Sequence, residues 1–69
     1  MNDFSTLAHN LLERRRRLGY TQKQLSARSG VSVGTISRLE HGKPGRRVSV
    51  THIFLLADAL DCPPVELFK

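Results

Sequence analysis

Tryptophan is absent from this 69-residue chain, cysteine and tyrosine each occur once, and three phenylalanines complete the aromatic set. The lone Cys62 cannot form an intrachain disulfide, which fits a reducing compartment rather than a stapled secreted domain. No apolar run approaches the roughly 20 residues that span a bilayer. The first ten residues, MNDFSTLAHN, lack the basic-then-apolar order of a signal peptide. The expected location is therefore the cytoplasm, with no membrane partner. Acidic residues number only six and are scattered. They form no convergent carboxylate pair, and no Ser/His/Asp set or glycine-rich phosphate loop accompanies them. His9, His41, His52 and Cys62 lack the spacing of a metal site. The sequence thus predicts no enzyme, no metal and no cofactor. A chain this short makes one domain, 1–69, with a modest core.

Positive charge is what the chain has in excess. Eleven lysines and arginines against six acids give a net charge of +5, which points to a polyanion. One basic block is Arg14 to Arg17. Another is Lys43, Arg46 and Arg47. The second follows a predicted helix that is itself a candidate for nucleic-acid contact, so its residues are expected to meet phosphate.

Apolar residues recur at helical spacing almost throughout, and no stretch alternates like a half-buried strand. Helix 1 is expected from about Ser5 to Leu18, with Leu7, Leu11, Arg15 and Leu18 on one face and Gly19 as its stop. Helix 2 begins at Thr21, where Thr21 and Gln24 fit a capping box, and ends near Ser29. Gly30 supplies the positive φ of the turn. Ser32 caps helix 3, which runs to about His41 and stops at Gly42. Val31, Ile36 and Leu39 are expected inside, and Val33, Gly34, Ser37, Arg38 and His41 outside. Ser49 caps helix 4, with the stripe Val50, Ile53, Leu56, Ala57 and Leu60. A short fifth helix starts at Pro63 and Pro64 and carries Val65, Leu67 and Phe68. The expected architecture is all-α, a compact five-helix bundle. Its residues 21–42 are two short helices joined by a tight glycine turn, the layout that offers one helix to the DNA major groove.

At this point a family resemblance becomes specific. Gly19, Thr21, Gln22, Leu25, Gly30, Val31, Ser32, Ile36, Ser37, Glu40 and Gly42 all stand at the spacing of the Cro/C1-type (XRE-like) helix-turn-helix signature. Ser49, Leu60, Glu66 and Leu67 match its later pattern, so the resemblance covers about residues 11 to 68. It implies a lambda-repressor-like domain that binds double-stranded DNA and regulates transcription. It also implies that Gln22 contacts phosphate, and that Arg15 pairs with Glu40 to tie helix 1 to the recognition helix. Arg38 is the expected base reader, because arginine bonds bidentately to guanine. Lys23, Ser32, Thr35, Ser37, His41, Lys43, Arg46 and Arg47 complete the expected interface. Val33 and Gly34 depart from the family, in which polar readers are common there. Val33 offers a thymine-methyl contact and Gly34 no side chain, so direct readout is expected to be sparse.

Leu55, outward on helix 4, and Val65 and Phe68 near the C-terminus are the expected seam of a homodimer, the region this family often uses. Two-fold symmetry would match a palindromic operator with half-sites about 10 base pairs apart. The expected role is a repressor of its own promoter. Phage repressors, restriction–modification controllers and antitoxins are the short members that the chain resembles. The alternative keeps the fold and changes the role: an antitoxin or other interaction module whose apolar patch meets a protein partner, a toxin or RNA polymerase.

Overall fold

The computed structural model describes residues 4–43 and 48–69. It contains four α-helices, α1 (Phe4–Arg17), α2 (Gln22–Ser29), α3 (Val33–Glu40) and α4 (Val50–Ala59), followed by a 3₁₀ turn, Pro64–Phe68. No strand occurs among the described residues. The expected fifth helix is thus a 3₁₀ turn. Pro63 and Pro64 fix φ at its start, where no amide is needed, but the five residues are too few to propagate an α-helical ladder. The helix-turn-helix segment packs α2 on α3, α1 lies against α3 and the terminal turn, and α4 closes the core against α2.

The helix ends follow local chemistry. At α2 the Thr21 hydroxyl accepts from the Gln24 amide at 3.0 Å, and the Gln24 side chain accepts from the Thr21 amide at 2.9 Å. This reciprocal cap satisfies two amides that would otherwise lack partners. Gly30 ends α2 at φ +80°, a left-handed conformation in which a β-carbon is strained. Its neighbour Ser29 is buried, and the Ser29 hydroxyl accepts from the Val31 amide at 3.0 Å, so the chain re-enters the core without an orphaned donor. At α4 the expected serine cap takes another form. The Ser49 amide donates to His52 Nδ1 at 3.2 Å. Glycine is not needed at the end of α4, where Asp61 adopts φ +57°. There the Cys62 amide reaches the Ala57 carbonyl and the Asp61 amide the Asp58 carbonyl, both at 3.0 Å, a Schellman closure.

Leu7, Leu11, Leu25, Val31, Ile36, Leu39, Ile53, Leu56, Ala57, Leu60 and Leu67 form one continuous core. Two expected inward residues are not in it. Leu18 is 47% exposed, because α1 stops at Arg17 and the chain turns through Gly19 at φ +77°, carrying Leu18 off the helical stripe. Val50 is 68% exposed, because it is the first residue of α4, at the flank of the apolar stripe rather than its centre.

Candidate nucleic-acid interface

The inner face of α3 settles how its outer face is offered. Ile36 and Leu39, with Val31 before the helix, are buried, which fixes the tilt of α3 on the body. Gly34, Ser37, Arg38 and His41 then share the opposite face by helical spacing i, i+3, i+4 and i+7. Gly34, Arg38 and His41 are exposed and Ser37 is half-buried, while Val33 beside them is 40% exposed. The start of α3 is closed by Ser32. The Ser32 hydroxyl accepts from the Thr35 amide at 3.2 Å and donates to the Thr35 hydroxyl at 3.0 Å. The Thr35 O–H is thereby left to donate elsewhere. At the other end His41 Nδ1 lies 2.7 Å from the Ser37 carbonyl. A carbonyl only accepts, so Nδ1 carries a proton and Nε2 remains for an outside partner.

Behind this face lies a polar knot that joins three segments. Arg15 Nε donates to Glu40 Oε2 at 2.6 Å and Arg15 Nη2 to Glu40 Oε1 at 3.0 Å, a bidentate pair. Arg15 Nη1 donates to the Tyr20 carbonyl at 2.8 Å, and Gln22 Nε2 donates to Glu40 Oε1 at 2.9 Å. The pair is nearly dry, with side-chain exposures of 12% and 3%. The hydrogen bonds it donates to Glu40 hold the Arg15 guanidinium more firmly charged than usual, against a burial that opposes charge. Glu40, the last residue of α3, is thereby fixed to α1 and to the first residue of α2. Gln22 spends one N–H on this knot and keeps a second for a ligand.

The remaining cations divide by whether the fold employs them. Arg14 pairs with Glu66 at 3.2 Å, and Asn10 donates to the carbonyls of Leu67 and Lys69 at 3.1 and 3.0 Å, so α1 clasps the terminal turn. Arg17 leans toward Glu13 at 3.7 Å, and the Arg28 guanidinium stacks 4.7 Å above the Tyr20 ring. The side chains of Arg16, Lys23, Arg38 and Lys43 have no polar partner among the described residues, and all four are exposed. Arg46 and Arg47 lie outside the described residues. Among the described residues no cluster of histidine, cysteine or carboxylate could hold a metal ion.

Of the expected seam residues, Leu55, Val65 and Phe68 are all exposed. Three that sequence reasoning missed stand out with them, Phe4, Val50 and Phe54, the last 56% exposed. Phe4, Val50 and Phe68 border a groove of about 240 Å³ floored by Leu7 and Ile53. The signal for Phe54 was available in the sequence, since it falls beside the α4 apolar stripe rather than within it.

The sequence model of the helix-turn-helix family matches residues 11–67. The chain belongs to the Cro/C1-type (XRE) helix-turn-helix family. Its fold is similar to the crystal structure of the restriction-modification controller protein C.AhdI from Aeromonas hydrophila, with a TM-score of 0.84 and 35% sequence identity. That likeness covers 94% of this chain and 96% of the controller. No curated protein sequence matches the chain significantly. The chain is a DNA-binding transcriptional regulator, and its family is one of regulators rather than enzymes. No helix among the described residues is long and apolar enough to cross a membrane.

Proposed function

We propose that this protein, as a single domain over 1–69, is a homodimeric controller that binds a palindromic operator in the cytoplasm and represses its own promoter. The observation that carries the reading is the outward stripe of α3. Its Arg38 is exposed with no polar partner among the described residues, while the helix itself is held by the Arg15–Glu40–Gln22 knot. A reader of base edges needs both properties. Likeness to a restriction-modification controller over nearly the full length of both chains supports the controller role.

In this reading Arg38 reads guanine, contributing roughly 1–3 kcal/mol of discrimination. Val33, Gly34, Ser37 and His41 lie in the groove. Gln22, Lys23, Ser32, Thr35 and Lys43 meet the phosphates, joined by Arg46 and Arg47. Exposed Phe54, Leu55, Val65 and Phe68 supply the apolar seam of the dimer. The test is a titration against duplex DNA from upstream of its own gene, beside scrambled duplex, at two salt concentrations. The reading expects a preference that survives the higher salt and disappears in Arg38→Ala. Equal, steeply salt-dependent binding to both duplexes would reduce the protein to phosphate attraction and refute it.

A further inference from the structure

The fold offers no reason for a glycine at position 34. The residue lies in the first turn of α3 and does not share the positive φ of Gly19, Gly30 and Gly42. Among the described residues, a β-carbon built there meets no atom within 4 Å beyond its chain neighbours and its own helix backbone. The site is exposed, so no packing would be lost by a side chain. Glycine in a helix is less favourable than alanine, because it loses more backbone freedom on folding. The chain therefore gives up helix stability at a position where its own structure would accept alanine. The position also heads the stripe of Ser37, Arg38 and His41, next to the exposed methyls of Val33.

We propose that Gly34 is the point of closest approach between the recognition helix and the DNA, and so a specificity determinant. Its bare backbone lets α3 seat deeper in the groove by the room a methyl group would occupy. That depth brings the Val33 methyls to a thymine methyl and the Arg38 guanidinium to a guanine edge. The absent side chain is thus a requirement of the complex, not a gap in the readout. This inference rests on the operator-binding reading above.

The test uses the full chain and a duplex selected from a random-sequence pool by the wild-type protein. Gly34→Ala is expected to raise the melting temperature by a few degrees. It should lower affinity for the selected duplex tenfold or more, and leave binding to scrambled duplex within twofold. Gly34→Gln should weaken the selected duplex further, since a longer side chain holds the helix farther out. An alanine variant that keeps selected-duplex affinity within twofold overturns the proposal, as does one that melts lower than the wild type. If the wild-type protein selects no sequence at all, the operator-binding reading falls with it. A wild type that discriminates beside an alanine variant that does so equally well removes this inference alone.

Discussion

Replacing Arg15 by alanine removes one half of a nearly dry ion pair and leaves the other half in place. The stranded Glu40 carboxylate is 3% exposed, and Gln22 Nε2 at 2.9 Å is its remaining side-chain donor. The Tyr20 carbonyl loses its guanidinium partner as well. One-sided removal of a buried pair costs about 3–5 kcal/mol, and the surviving bond from Gln22 places the expectation near the lower figure, about 3 kcal/mol. A domain of 69 residues has a total stability of roughly 3.5–10 kcal/mol. The variant should therefore lose about a third or more of its stability, with Tm lowered by about 12–24 °C. Circular-dichroism melts measure this directly. DNA affinity, corrected for the folded fraction, should change far less. The double variant Arg15→Met/Glu40→Leu removes both charges together and should recover most of the lost stability. An Arg15→Ala protein that melts within about 3 °C of wild type would refute the reasoning. One that is stable but has lost DNA binding would move Arg15 from the fold to the interface.

Three further outcomes follow from the same geometry. Asp61→Gly relieves a left-handed β-carbon at the end of α4 and should raise Tm by about 2–6 °C, read in the same melts. Phe54→Lys places a charge on the proposed seam without touching the core, so sedimentation should show a monomer with unchanged helicity. Burial, foremost, with Glu66 and Asp61 adding to it and Arg14 opposing, pushes the Cys62 thiol above its ordinary range. The unfolded chain then loses this proton at lower pH than the folded one, so stability declines as pH rises through and above the usual thiol range, and is unaffected below it. Urea midpoints at about pH 7 and about pH 10 should diverge in wild type more than in Cys62→Ala.

Much of the site was legible because short-range chemistry determines it. The capping box of Thr21 and Gln24, the turn at Gly30 and the inner residues Ile36 and Leu39 depend on spacings of a few residues. The pairing of Arg15 with Glu40 came from family resemblance rather than spacing, because a contact between residues 25 positions apart leaves no local trace. The share of Gln22 in that knot, the buried hydroxyl of Ser29 and the clasp of Asn10 on the terminal turn were illegible for the same reason. Leu18 and Val50 were misplaced because helical periodicity was extended one residue past the end of α1, ahead of the glycine turn, and outward to the flank of a stripe. The terminal turn is 3₁₀ rather than α because its five residues are too few to propagate an i→i+4 ladder.

The two faces of α3 have separate obligations. Ile36, Leu39 and Glu40 answer to the body of the protein, while Gly34 presents bare backbone and the Arg38 side chain has no polar partner among the described residues. The recognition surface is therefore exchangeable. A library that varies positions 33, 37, 38 and 41, leaving Arg15, Gln22, Gly34 and Glu40 untouched, samples new DNA targets on an unchanged chassis. Its members should differ in the sequence they select far more than in the temperature at which they melt.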